Sequence, residues 1–176
     1  LPMPTLYLLP TPLGPDALHS LPGYAVELMH RLDHFIAERA KTARHFLKST
    51  NLPRPLQELT IYELNKRTPP GEWRKFLEPI REGHDMGLLS EAGMPGIADP
   101  GARIVRLAHE QGIRVEPVVG PSSILLALIS SGMSGQQFCF HGYLSPKRPE
   151  LVKDLQRLEE LNRRFKQTQI FMETPY

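Results

Sequence analysis

Residues 88–101 constrain the fold of this chain more than any other part of its sequence. The segment reads LLSEAGMPGIADPG, so three glycines and two prolines follow an apolar pair and precede a helical pattern. Glycine permits positive φ angles and close approach of a ligand to the backbone, whereas proline fixes φ. A strand that enters such a loop and is followed by a helix is typical of small-molecule sites in α/β proteins. The loop also carries two carboxylates, Glu91 and Asp99.

Apolar runs alternate along the chain with segments of helical spacing. The runs predict strands at 5–9, 34–37, 59–64, 85–89, 113–119, 138–144 and 169–173. The spacing predicts helices at 24–32, 42–48, 71–82, 102–111, 124–129 and 151–166. The helix at 124–129 is almost wholly apolar, and we therefore expect it to be buried.

The alternation of strands and helices is typical of βαβ units. It predicts an α/β fold with a parallel sheet flanked by helices. The Gly/Ser-rich segment at 130–137 is the best candidate for a domain boundary. We therefore expect an N-terminal α/β domain at 1–134 and the start of a second α/β domain at 135–176. Because the second segment holds only about 40 residues, too few for a stable core, we expect that domain to be truncated.

Composition disfavours some functional classes and leaves others open. The single cysteine, Cys139, argues against disulfides and against a cysteine-based metal site, and no His/Asp spacing indicates a metal. No apolar run is long enough to predict a membrane span, and the N-terminus has no secretory pattern. We therefore expect a cytoplasmic protein. The net charge of +2 permits a nucleic-acid partner without requiring one.

Three loops follow predicted strands, at residues 10–15, 90–101 and 120–123. In a parallel sheet all three open at the carboxyl edge, where α/β proteins bind their ligands. The third loop, GPSS, places backbone amides and two hydroxyls at the start of a helix. Such an end attracts polar and anionic groups of a ligand, although Ser122 or Ser123 could equally be only the N-cap of that helix.

These segments resemble, in the same order, the motifs of the tetrapyrrole-methylase-like S-adenosylmethionine-dependent methyltransferases. The resemblance is strongest to the branch that methylates a cytidine 2′-hydroxyl of small-subunit ribosomal RNA. That branch carries SDAGTPGISDPG where residues 90–101 here read SEAGMPGIADPG, and LYLVPTPIG where residues 6–14 read LYLLPTPLG. Its PGPSA corresponds to VGPSS at residues 119–123. The resemblance implies the family fold, S-adenosylmethionine as cofactor, RNA as substrate and a homodimer.

The resemblance also implies roles for individual residues. The expected cofactor-binding residues are Pro10, Leu13, Gly14, Ser90, Glu91, Ala92, Gly93, Met94, Ile97, Ser122 and Ser123. The expected substrate-binding residues are Lys41, Arg44 and Asn65. Glu38 follows a predicted strand at the same edge and is the candidate base for a ribose hydroxyl. Its alternative role is a carboxylate that stabilises the N-terminus of the next helix.

The segment after the second strand departs from the branch. Arg39 and Ala40 stand where the branch has Asp and Thr, whereas the cofactor loops are better kept. Two other functions therefore stay open, namely methylation of a tetrapyrrole or another small molecule, and a degenerate relative that binds cofactor or RNA without turnover. The basic cluster in this segment is either a phosphate-binding surface or a solvated helix face. It comprises Arg39, Lys41, Arg44, His45 and Lys48.

Overall fold

The computed structural model describes residues 3–175, which form two compact units. The first unit ends at Pro121 and the second begins at Ser122. The domain boundary that the sequence places at 134/135 stays a prediction.

Five parallel strands form the sheet of the first unit, in the order β3-β2-β4-β1-β5. They are β1 (Thr5–Leu9), β2 (His34–Ala37), β3 (Thr60–Glu63), β4 (Met86–Leu89) and β5 (Arg114–Pro117). Because β4 lies between β1 and β2, the loops that follow these three strands emerge side by side. The predicted parallel α/β sheet is confirmed.

Helices cover both faces of this sheet, as its two apolar faces require. The core on one face includes residues of α1 (Gly23–Arg31) and α2 (Ala40–Ser49), together with Phe35. The core on the other face includes residues of α3 (Trp73–Phe76), α4 (Glu78–Arg81) and α5 (Gly101–Glu110), together with Ile36. Successive residues of β2 therefore point to opposite faces of the sheet.

The single helix expected at 71–82 is wrong. The segment forms a 3₁₀ turn at Pro70–Glu72, then α3, then α4. Pro79 explains the interruption, because it has no amide hydrogen and its ring clashes with the carbonyl four residues earlier, that of Lys75.

The second unit contains α6 (Ser123–Ser131), β6 (Phe138–Tyr143), α7 (Arg148–Phe165) and β7 (Thr168–Met172). Strands β6 and β7 pair in parallel as a sheet of their own.

The expected burial of the apolar helix is wrong in this structure. Only Leu128 of α6 is buried, whereas Leu126 is 49% and Ile129 75% exposed. The second unit offers a two-stranded sheet and one other helix for packing, which is too little to surround a helix that is apolar on all sides. Between residues 3 and 175, no helix is both long and apolar enough to cross a membrane.

Candidate functional site

Two backbone hydrogen bonds join the loop after β1 to the loop after β4. The amide of Thr11 donates to the Gly93 carbonyl and the amide of Gly93 donates to the Thr11 carbonyl, each at 3.0 Å. The hydroxyls of Thr11 and Ser90 lie 3.2 Å apart, and the Ser90 hydroxyl also donates to the Gly93 carbonyl. The two loops are therefore fixed to each other by their own hydrogen bonds.

The loop after β5 packs against both of them through glycine. A Cβ built on Gly120 would lie 2.1 Å from Cβ of Pro10 and 3.5 Å from Cγ of Met94. A Cβ built on Gly93, which has a φ of +74°, would lie 3.0 Å from the Pro121 carbonyl oxygen. Both positions need glycine because no other residue allows this approach of the loops. The three loops that the sequence places at one edge do meet there.

Asp99 shapes the rest of the second loop. Its Oδ1 accepts hydrogen bonds from the amides of Gly96 and Gly101, each at 2.8 Å. Burial raises the pKa of the Asp99 carboxyl, and these two hydrogen bonds act in the opposite direction. Asp99 therefore holds the loop and the start of α5, as aspartate does in turns.

A cleft of about 470 Å³ opens between α2 and the first two loops. This volume is within the range of small-molecule sites, roughly 300–1,000 Å³. The loop wall of the cleft consists of Thr11, Pro12, Leu13, Gly14, Pro15, Asp16, Ala17, Leu18, Leu89, Ser90, Glu91 and Ala92. The helix wall consists of Ala37, Arg39, Thr42, Ala43, His45, Phe46 and Ser49.

Two carboxylates tie α2 to neighbouring strand ends. Oγ1 of Thr42 donates to Oε1 of Glu91 at 2.9 Å, across the mouth of the cleft. The amide of Ala40 donates to Oε1 of Glu63 at 2.8 Å. The carboxylate at the N-terminus of α2 is therefore that of Glu63, the role that the sequence offered as the alternative for Glu38.

The predicted cofactor residues do not all lie together. Five of them line the cleft: Leu13, Gly14, Ser90, Glu91 and Ala92. Pro10, Gly93 and Met94 lie at the contact of the three loops, and Ile97 is 44% exposed further along the second loop.

Ser122 and Ser123 belong to the second unit. Ser122 is the N-cap of α6, and its hydroxyl accepts from the Leu125 amide at 3.3 Å. The N-cap interpretation is thus confirmed for Ser122. A role in cofactor binding stays a prediction for both serines.

Glu38 does not line the main cleft. It lines a cavity of about 10 Å³ together with Asp99 and Ser90. Its neighbours Ala37 and Arg39 both line the main cleft, as the alternation of side chains along extended backbone favours, and Ala37 borders the small cavity as well. Ser90 lines both cavities. The catalytic role of Glu38 stays a prediction.

The predicted substrate residues lie apart from one another. Lys41 and Arg44 are exposed on α2. Asn65 is half-buried and builds its own loop, since its Nδ2 donates to the Glu38 carbonyl at 3.3 Å and its Oδ1 accepts from the Arg67 amide at 2.9 Å. A contact of these residues with substrate stays a prediction.

Sequence reasoning named Arg39 and His45 of the helix wall only as members of a basic cluster and missed the other residues of that wall. Arg39, Thr42, Phe46 and Ser49 recur at helical spacing, which places them on one face of α2. That spacing was the available signal. The missed Thr11 leaves no such signal, because its main contacts with the second loop are made by its backbone. Among the described residues, no group of three or more His, Cys, Asp or Glu side chains is placed to hold a metal ion.

A parallel sheet flanked by helices, with a ligand-sized cleft at its carboxyl edge, makes this an α/β protein with a small-molecule site. Comparison with known proteins identifies its family. The profile of the family described as Tetrapyrrole (Corrin/Porphyrin) Methylases matches residues 6–176. The chain belongs to this family, whose members use S-adenosylmethionine.

Individual relatives extend the comparison. The chain is 33% identical over 174 residues to ribosomal RNA small subunit methyltransferase I of Bacillus subtilis (strain 168), covering 99% of this chain and 56% of that protein. It is 32% identical over 174 residues to the protein of that name in Synechocystis sp. (strain ATCC 27184 / PCC 6803 / Kazusa), covering 99% and 58%. The chain thus spans somewhat more than half the length of these relatives.

Solved structures agree on the fold. A diphthine synthase superposes with a TM-score of 0.64 at 13% identity, covering 97% of this chain and 65% of that one. The methyltransferase CobJ superposes with a TM-score of 0.61 at 17% identity, covering 95% and 66%.

Proposed function

We propose that this chain binds S-adenosylmethionine and transfers its methyl group to a ribose 2′-hydroxyl of small-subunit ribosomal RNA. The observation that carries this proposal is the contact of three strand-end loops beside a cleft of about 470 Å³. The chain that forms this cleft has relatives named ribosomal RNA small subunit methyltransferase I.

The residues present suit the cofactor. S-adenosylmethionine has apolar and polar parts, and the loop wall combines apolar side chains with the Ser90 hydroxyl. We propose that the loops after β1, β4 and β5 hold the cofactor through Pro10, Leu13, Gly14, Ser90, Ala92, Gly93, Met94, Ile97, Ser122 and Ser123. When bound, S-adenosylmethionine supplies an activated methyl group.

The remaining task of the chain is to position the acceptor and to remove its proton. A ribose hydroxyl is a poor nucleophile, so a carboxylate within reach accelerates the reaction. We propose Glu38 for this role, because it lies half-buried at the end of β2 and shares a small cavity with Ser90, which also borders the main cleft. We propose that Lys41, Arg44 and Asn65 contact the RNA.

Calorimetric titration with S-adenosylhomocysteine tests the cofactor site. Ile97→Lys should weaken binding at least about tenfold, because it places a long charged side chain where the proposed site has an apolar one. Val152→Lys, at an equally exposed position of α7, is the matched control. A folded wild-type chain that shows no saturable binding would refute the proposal.

A transfer assay tests the acceptor. Labelled methyl should enter small ribosomal subunits at a nucleotide that resists alkaline hydrolysis, as 2′-O-methylation requires. Label in a tetrapyrrole instead would favour the small-molecule alternative. Cofactor binding without transfer to either acceptor would identify a relative without turnover.

Two further parts of the proposal rest on the family resemblance. We propose a homodimer, which the exposed apolar residues of α6 are compatible with, and light scattering after gel filtration measures it. We propose a cytoplasmic location, which fits an enzyme acting on ribosomal RNA.

A further inference from the structure

We propose that the helix wall of the cleft holds an unstacked base of the acceptor, and that Glu91, held by Thr42, selects a base with an exocyclic amino group. The inference rests on the proposed function in that it takes the acceptor to be RNA. It assigns Glu91 to the acceptor, whereas the sequence assigned this residue to the cofactor.

Single-stranded RNA presents unstacked bases that a protein can hold one at a time. Proteins that do so place the base against an apolar or aromatic surface and read its edge by hydrogen bonds. The helix wall offers this combination, since Ala43 and Phe46 form an apolar surface with Thr42 beside it. Phe46 is only half-buried, which leaves part of its ring available to a ligand.

The Thr42–Glu91 hydrogen bond turns the Glu91 carboxylate toward α2. Oε1 accepts from Thr42 at 2.9 Å, and within residues 3–175 Oε2 receives no hydrogen bond and no ion pair. An ionised carboxylate only accepts hydrogen bonds. Its free oxygen therefore suits the amino group of cytosine and opposes the O4 carbonyl of uracil.

Positive charge surrounds the same wall. Arg39 lines the cleft, and Lys41, Arg44 and Lys48 are exposed on the same helix. The Arg39 side chain makes no hydrogen bond or ion pair within the described part of the chain, so it is available to a ligand. Cations of this kind bind phosphates and position an RNA strand without reading its sequence. Selection of the base is therefore left to Glu91 and Thr42.

Fluorescence anisotropy with two labelled single-stranded RNAs tests the proposal. One RNA is a uridine decamer, and the other carries a single central cytidine. The wild-type chain should bind the cytidine RNA about 3- to 10-fold more tightly, as one selective hydrogen bond allows. Glu91→Gln should remove or reverse this preference, because an amide can also donate to uracil O4. Thr42→Val should reduce the preference, and Glu27→Gln, on exposed α1, should leave it unchanged.

Titration of the same samples with S-adenosylhomocysteine separates the two proposals. If Glu91→Gln weakens cofactor binding and leaves the cytidine preference intact, Glu91 serves the cofactor and the inference is wrong. Equal wild-type affinity for both RNAs, or no RNA binding, also overturns it, even if the cofactor binds. A cytidine preference that depends on Glu91 in a chain that binds no cofactor would support the inference while refuting the methyltransferase proposal.

Discussion

Substitution of Gly120 by alanine measures how tightly the three loops are packed. The new Cβ would lie 2.1 Å from Cβ and 2.8 Å from Cγ of Pro10, distances at which something must move. Pro10 is fully buried and its ring is rigid, so the adjustment falls on the backbone of the loops. Overpacking of this kind costs about 1–3 kcal/mol. For a chain of this size we expect Tm to fall by about 2–12 °C.

Urea unfolding followed by Trp73 fluorescence is the matching assay, because this single tryptophan lies in the first unit and reports on it alone. Gly23→Ala is the control, since its Cβ would meet nothing within 4 Å at an exposed helix position. We expect the control to be neutral or up to about 1 kcal/mol more stable. If Gly120→Ala unfolds at the same urea concentration as Gly23→Ala, the close contact of the loops does not exist in solution.

Three further substitutions test other parts of the first unit. Asp99→Ala leaves two amides without their acceptor and should lower the free energy of unfolding by about 1–3 kcal/mol in urea, whereas Glu27→Ala should not. Burial, and then the charge of His84, lower the pKa of His34 below 6.5, so the fold favours neutral His34 and stability should fall as the pH drops below 6.5. Replacing His34 by glutamine should flatten that decline. An unchanged pH profile in this variant would show that His34 does not cause the loss of stability. Glu38→Gln should slow methyl transfer about 10²- to 10⁴-fold with cofactor affinity kept, and an unchanged rate would remove Glu38 from the mechanism.

Local patterns were sufficient to predict most of the sheet. The strands at 5–9 and 34–37 were predicted with the bounds that the structure shows, because a short apolar run between turn residues is typical of a buried strand. Burial of α6 could not be predicted in this way. An apolar sequence indicates that a helix can be covered, but whether it is covered depends on its neighbours. Pro79 was visible in the sequence, yet its effect on the helix at 71–82 was underestimated.

The sequence predicted where the candidate site lies in the fold, but not which contacts build it. Parallel strands bring their carboxyl ends to one edge, and that rule alone joined the three loops. The bridge between Thr11 and Gly93 consists of backbone groups that every residue carries, so the sequence could not reveal it. The placement of Glu38 outside the cleft depends on which face of β2 each residue takes, and that is fixed only by the packing on both sides.

The contact of the three loops also bears on how the protein reaches its working state. Thr11 and Ser90 are 79 positions apart in the chain, and Pro10 meets a residue still more distant, Gly120. Contacts between such remote positions form only after the intervening chain has been ordered, since closing long segments costs entropy in advance of any gain. The site is therefore assembled late in folding, and ligand binding in a refolding experiment should lag behind the recovery of helical signal.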